Sequence, residues 1–327
     1  MKAISVRDQG QTLSWEDVPT PQPGPGEVLI KVAATSCNRA DLLQRRGLYP
    51  PPEGASPILG LDASGVIEAV GDGVSQWQPG DRVCTLLAGG GYAEYVTSPA
   101  GLVLEIPSTI RLVEAAAIPE VFYTAFVNIF LEAEFEPGES VLIHAAASGV
   151  GTAAVQICRA FDSPVFATAS QKKLDFLHQL GVEVAIDREN EDFSARIDQL
   201  TEHGGVDIIL DPVGASYFER NLHLLKERGR LVVIGLLGGA ESEISLSRLL
   251  RRRLRVIGSV LRSRSVEEKV EITKKLKSTL WPLFDTGELQ PIIDKTFPIE
   301  KVEKAHQLLE DNATIGKIVL TIDDNLG

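Results

Sequence analysis

Ser170 and Lys173 place a hydroxyl and an ammonium three residues apart, directly after an apolar run at 164–169. A carboxylate in such a place grips the 2′-hydroxyl of an adenosine ribose, whereas a hydroxyl with an ammonium suits a 2′-phosphate. The stretch Thr168-Ala169-Ser170-Gln171-Lys172-Lys173 contains no acid. About 20 residues earlier lies the other half of a dinucleotide site. Ala145-Ala146-Ala147-Ser148-Gly149-Val150-Gly151 is a turn of small side chains, where backbone N–H groups can face a pyrophosphate. Gly149 and Gly151 serve close backbone approach and helix–strand packing. Ser148 reads either as a group that touches the cofactor or as a small residue tolerated in a tight turn. Together these residues point to NADPH. His144, just ahead of the turn, reads as a buried, hydrogen-bonded residue, and no HExxH run occurs.

Such groups need elements to hold them. Residues 140–144 have a strand pattern, 152–161 a helix pattern and 164–169 a second strand pattern. Further strands are expected at 182–186, 206–210, 230–234 and 254–260, with helices at 172–180, 192–202, 217–226 and 247–253. Six short apolar strands alternating with helices predict an α/β fold with a doubly wound parallel sheet. Ligands in such sheets lie at the carboxyl ends of the strands. The turns Asp211-Pro212-Val213-Gly214 and Gly235-Leu236-Leu237-Gly238-Gly239 are therefore candidate walls of the site. Before residue 120 the chain shows short strands between Pro- and Gly-rich turns, a pattern that predicts a partly open β barrel. Towards the end, Val266, Val270, Leu276, Leu280 and Leu283 fit one face of a long helix. A strand at 291–297, a helix at 301–311 and a closing strand at 316–320 follow and are expected to return to the first domain. The predicted domains are 1–122 with 262–327, and 123–261.

The bulk composition narrows the function. A chain of 327 residues with 44% apolar and 24% charged residues suits a two-domain globular protein. Its 45 acidic and 32 basic residues give a formal charge of −13, which repels nucleic-acid backbones. The basic run Leu250-Arg251-Arg252-Arg253-Leu254-Arg255 reads as a helix end and loop. Cys37, Cys84 and Cys158 are widely spaced and form no CxxC pair, which suits a reducing cytosol. Neither a leader-like apolar stretch nor a bilayer-length run appears, so a cytoplasmic protein without a membrane partner is expected.

Several motifs, in order, carry a family resemblance: Asn38-Arg39-Ala40-Asp41, Gly60-Leu61-Asp62-Ala63-Ser64-Gly65, Gly90-Gly91-Tyr92-Ala93-Glu94-Tyr95, Ala115-Ala116-Ala117-Ile118-Pro119, Thr124-Ala125, the turn at 145–151 and Gly316-Lys317-Ile318-Val319. With them the chain resembles the quinone oxidoreductase branch of the medium-chain dehydrogenase/reductase superfamily. The stretches Gln44-Arg45-Arg46-Gly47-Leu48-Tyr49-Pro50-Pro51-Pro52, Ser170-Gln171-Lys172-Lys173-Leu174 and Leu261-Arg262-Ser263-Arg264 look like its tumour-suppressor-inducible type. The resemblance implies a Rossmann domain at 123–261 and a GroES-like domain from the remainder. Zinc members of the superfamily take ligands at positions that here hold Asn38, Leu61 and Glu120. An amide and an isobutyl group do not make a closed zinc site, and three cysteines cannot supply a four-cysteine lobe, so no metal is expected.

The same resemblance implies roles for single residues. Tyr49 lies near the nicotinamide and the quinone, where it stacks or donates a hydrogen bond; otherwise it is an aromatic plug. Asn38 holds the carboxamide or a substrate carbonyl, and Asp41 bonds its own turn. Thr124, Val150, Val233, Ile234, Gly235, Arg262, Ser263 and Lys317 match positions that line the cofactor. The expected function is reduction of quinones by NADPH, since a quinone accepts hydride without a Lewis acid and becomes aromatic. The alternatives are reduction of the C=C bond of enones, enals or enoyl thioesters, and non-catalytic NADPH binding by a structural or sensor protein. The apolar last strand, 254–260, would be an open sheet edge and predicts a symmetric homodimer.

Overall fold

The computed structural model describes residues 1–10, 12–323 and 326. The chain divides into two compact units, Met1–Tyr123 with Arg262–Gly327, and Thr124–Leu261.

Six strands of the second unit are numbered in chain order: β1 (Val141–Ile143), β2 (Val165–Ala169), β3 (Val184–Asp187), β4 (Val206–Asp211), β5 (Leu225–Val233) and β6 (Arg255–Gly258). All pair in parallel, in the spatial order β3-β2-β1-β4-β5-β6. The order in which strands are added reverses between β1 and β4, so the ligand crevice of this unit opens at their carboxyl ends. Parallel strands covered by helices are apolar throughout, and Leu142, Phe166, Ile186, Ile209 and Leu231 form one buried cluster. The expected elements are all present, with shifted limits. The helix after the small-residue turn starts at Gly149 rather than 152, because Ser148 caps it. The expected helix at 172–180 is a 3₁₀ turn, Gln171–Lys173, followed by a helix, Leu174–Gln179. Lys226, expected in a helix, lies in β5, where Leu225 pairs with Val206 ahead of a register shift.

In the first unit, six strands follow one another in the order Ile293–Pro298, Lys317–Thr321, Glu27–Ser36, Asp62–Val70, Arg82–Leu86, Val103–Glu105. The ten-residue strand Glu27–Ser36 also pairs with Tyr95–Pro99, so it serves three neighbours. It manages this by bending: register shifts interrupt its ladder with Asp62–Val70. Gly65 permits the close approach, since a Cβ there would lie 2.0 Å from the Lys31 carbonyl oxygen. The C-terminal segment therefore returns to this sheet, with Val319 opposite Ser36. The long helix Val266–Thr286 buries Ile272, Leu276, Leu280, Trp281 and Phe284. Val266, expected on that face, is 45% exposed, because the first turn precedes the part of the helix that packs. All three cysteines are free and buried. Burial pushes the thiols of Cys37 and Cys158 up to about 12 and raises that of Cys84 as well. Among the described residues no helix is long and apolar enough to cross a membrane.

Candidate functional site

The turn after β1 is shaped for an anion. Ser148 accepts the Gly151 N–H with its hydroxyl oxygen (3.1 Å) and the Thr152 N–H with its carbonyl (2.8 Å). The Gly149 and Val150 N–H groups begin the helix ahead of any carbonyl that could accept them within it. The helix comes this close only because residue 151 is glycine: a Cβ there would lie 2.5 Å from the Ala146 carbonyl oxygen. Ser148 is exposed and Gly149 and Val150 half-buried. Open N–H groups at the positive end of a twelve-residue helix, beside an exposed hydroxyl, fit a dinucleotide pyrophosphate.

Ser170 and Lys173 lie on the 3₁₀ turn that follows β2, next to β1 in the sheet, and both are half-buried. Val233 ends β5, and Ile234 and Gly235 follow it, with the Ile234 N–H donating to the Asp211 carbonyl (2.9 Å). Gly235 packs on Pro212, so the two expected wall turns touch. Thr124, on the helix Pro119–Phe126, gives its carbonyl to the Asn128 side-chain amide (2.7 Å).

A buried chain of hydrogen bonds fixes the rim of this unit. His144 Nδ1 lies 2.9 Å from Thr168 Oγ1 and Nε2 lies 2.8 Å from Asn221 Oδ1. An amide oxygen only accepts, so Nε2 carries the proton and the Thr168 hydroxyl donates to Nδ1. Asn221 in turn donates to Asp211 Oδ2 (3.0 Å), and the Asp211 carboxylate accepts the N–H groups of Val213 (2.6 Å) and Gly214 (3.1 Å). One network thus ties the carboxyl ends of β1, β2 and β4 together. Burial keeps the imidazole neutral, pushing it down to about 4, and lifts Asp211 to about 6.

The first unit contains a charged network. Lys317, only 4% exposed, donates its ammonium to the Cys37 carbonyl (3.1 Å), to Asn38 Oδ1 and to Asp62 Oδ2 (3.3 Å). Asp62 also accepts from Asn38 Nδ2 (2.7 Å), the Ser36 hydroxyl and the Glu120 N–H (2.6 Å). Both ends of the Asn38 amide are therefore engaged inside the protein. Asn38 and Lys317, both expected at the cofactor or substrate, also brace this loop. Asp41 holds the same loop, accepting the N–H groups of Asn38 (2.7 Å) and Gly60 (3.0 Å) and the Tyr92 hydroxyl (3.1 Å). Tyr92 is 3.1 Å from His306 Nε2. A buried ammonium between an amide and a carboxylate leaves no set of donors for zinc, and Leu61 is a buried apolar side chain. No group of three or more His, Cys, Asp or Glu among the described residues could hold a metal.

Beside this network, Arg262 reaches under Tyr49. Its guanidinium carbon is 5.2 Å from the ring centroid, and its N–H groups bond the carbonyls of Ala88 (2.8 Å) and Tyr49 (3.2 Å) and the side chain of Gln44 (2.6 Å). Arg262 is thus a clamp on the Tyr49 loop, a role its sequence neighbourhood did not disclose. Ser263, next to it, is exposed. Burial, followed by the charge of Glu120, raises the Tyr49 phenol above its ordinary value. Glu120 itself is lifted to about 8, by burial and then by Asp62.

Comparison with known proteins follows the same division. The alcohol dehydrogenase GroES-like domain family matches residues 24–108, and the zinc-binding dehydrogenase family matches residues 149–275. A human quinone oxidoreductase is 32% identical over 98% of this chain and 98% of its own length. The chain belongs to the medium-chain dehydrogenase/reductase superfamily. The chain is also similar to the synaptic vesicle membrane protein VAT-1 homolog of Rattus norvegicus, at 36% identity over 92% of this chain and 78% of that protein. Among solved structures, the Escherichia coli quinone oxidoreductase complexed with NADPH has a TM-score of 0.88 at 27% identity, covering 98% of this chain and 100% of that one. The CurK enoyl reductase has a TM-score of 0.87 at 31% identity, covering 98% of each. The chain is thus an oxidoreductase of a pyridine-nucleotide-binding fold.

Proposed function

We propose that this protein reduces quinones with NADPH. The observation that carries the reading is the turn after β2, which offers Ser170 and Lys173, and no carboxylate of its own, to a 2′-phosphate. The likeness to the Escherichia coli quinone oxidoreductase with NADPH supports both halves of it. When bound, the dinucleotide supplies the hydride; the protein selects and orients. Gly149 and Val150 hold the pyrophosphate, and Ser148 and Gly151 keep their helix end in place. Thr124, Val233, Ile234 and Gly235 form the wall on the nicotinamide side. The Tyr49 phenol, raised by burial, stays protonated at neutral pH. It can donate a hydrogen bond to a carbonyl oxygen that gains negative charge, while Arg262 fixes its loop. The likeness to an enoyl reductase supports a second reading, hydride donation to the C=C bond of an enone or enoyl thioester.

Consumption of NADPH and NADH with ortho- and para-quinones, beside a panel of enones, tests the proposal. Quinone turnover should be faster with NADPH. A Ser170→Ala/Lys173→Gln variant should raise the KM for NADPH roughly tenfold or more and leave that for NADH unchanged. A wild type that favours NADH, or an indifferent double variant, would sink the cofactor assignment. Turnover confined to enones would transfer the assignment to the second reading, and tight NADPH binding without turnover would favour a structural or sensor role.

We also infer a symmetric homodimer through β6. It is one of the two outer strands of its sheet, with Val256 41% exposed, and the preceding helix Leu246–Arg252 exposes Leu246 and Leu250 at 70% and 80%. An apolar open edge of this kind is a liability unless paired. Light scattering should give twice the 35.4 kDa chain mass, and a monomer at micromolar concentration would discard the inference.

A further inference from the structure

We propose that Arg188 completes the 2′-phosphate site and sets the preference for the phosphorylated dinucleotide. The inference rests on the NADPH reading above and deepens it. Neither the small-residue turn nor the Ser170–Lys173 pair points to Arg188, which directly follows the next strand; only the sheet brings it there.

Three observations place it. Asp187, the last residue of β3, is in register with Ala169, the last residue of β2, and the Arg188 N–H donates to the Ala169 carbonyl (2.9 Å). Arg188 therefore leaves the sheet beside Ser170. The nearest carboxylate is occupied. Asp187 is buried, accepts the Glu189 N–H (3.1 Å) and the Asn190 amide (2.6 Å), and is also hydrogen-bonded by the Gln171 backbone. These bonds, Asn190 first, hold it below the usual carboxylate range. Asp187 thus stitches the 170–173 turn to the 187–190 turn and keeps the two basic loops adjacent. It also leaves a fixed negative charge beside the proposed phosphate, which a cation must offset.

The Arg188 guanidinium is available for that task. Among the described residues its one ion pair is a long contact with Glu189 (3.4 Å), with side chains 42% and 59% exposed, a geometry worth little in water. Its charge acts on the phenol of Tyr217, on the helix Ala215–Leu224 that follows β4. Tyr217 itself packs against Phe193 and against His144, which follows β1, so Arg188 lies within electrostatic range of the carboxyl end of that strand. Lys173 offers a phosphate a point charge, whereas a guanidinium offers a planar fork with two parallel N–H donors. A hydroxyl, an ammonium and a fork then converge from two strand ends on one dianion.

Calorimetric binding isolates the claim without turnover. Kd is measured for NADPH and NADH, and for adenosine 2′,5′-bisphosphate against adenosine 5′-phosphate, with the wild type, Arg188→Gln, Arg188→Lys and Lys173→Gln. Arg188→Gln should lose about tenfold in affinity for the two 2′-phosphorylated ligands and stay within about twofold for the other two. Arg188→Lys should recover part of the loss. A wild type with no preference for the 2′-phosphate overturns the NADPH reading and this inference together. A wild type that prefers it, with Arg188→Gln unchanged while Lys173→Gln loses the preference, overturns the role of Arg188 alone. Equal losses for all four ligands would overturn it too, by showing a general folding defect.

Discussion

Lys317 and His144 sit at the centres of two buried networks that differ in charge. Around Lys317 an ammonium faces the Asp62 carboxylate, and an amide and a hydroxyl fill the remaining valences. Around His144 a hydroxyl, a neutral imidazole and an amide pass hydrogen bonds in one direction to Asp211. Both fix loops, at 36–41 in one unit and at 211–214 in the other. An ion pair out of water holds only while both partners are present, because each charge is costly alone. A neutral chain tolerates a missing charge but depends on one tautomer, and so on pH.

Lys317→Met sharpens this contrast most. It strands the Asp62 carboxylate, which is 0% exposed, and should cost about 3–5 kcal/mol in thermal or urea unfolding. Adding Asp62→Asn to the same chain should return part of that loss. A loss below about 1 kcal/mol would mean that the pair behaves like a surface ion pair, and the comparison would fail.

His144→Gln has a smaller and pH-dependent effect. Glutamine can accept from Thr168 and donate to Asn221, so stability near pH 7 should change by about 1 kcal/mol or less. The folded imidazole titrates at about 4 and a free one at about 6.5. Between those values the unfolded chain binds more protons, so stability present above pH 6.5 is lost as pH falls towards 4. At pH 5 the wild type should have lost about 2 kcal/mol that the variant keeps. Asp211, raised to about 6, works in the opposite direction in both proteins and cancels in the difference. Parallel pH dependence of wild type and variant would show that His144 is not held neutral.

The two networks also show what a sequence can disclose. The six strands of the parallel sheet were legible because apolar runs alternate with turns, while their spatial order comes from the structure. Their limits were not: Lys226 joins a strand because its neighbour Leu225 pairs with Val206, and helix periodicity carries no trace of that pairing. The cap at Ser148 was not read from the sequence, where the helix pattern began at 152, although serine is a favoured cap residue. Lys317 and Asp62 are 255 residues apart, and only the pairing of Lys317–Thr321 with Glu27–Ser36 brings them together. Motif matching therefore marked Lys317 as important without disclosing its partner. Asp187 and Arg188 lie far along the chain from Ala169, and their proximity to it is lateral, across the sheet, so spacing carries no sign of it. The Arg262 clamp on Tyr49 spans 213 residues and was hidden for the same reason.

Quinones and enones are soft electrophiles, and they add to thiolates they can reach. Cys37, Cys84 and Cys158 are packed inside, and burial lifts each thiol far above neutral pH, so each keeps its proton. A folded chain with no accessible sulfur nucleophile can meet such compounds turn after turn without arylating itself.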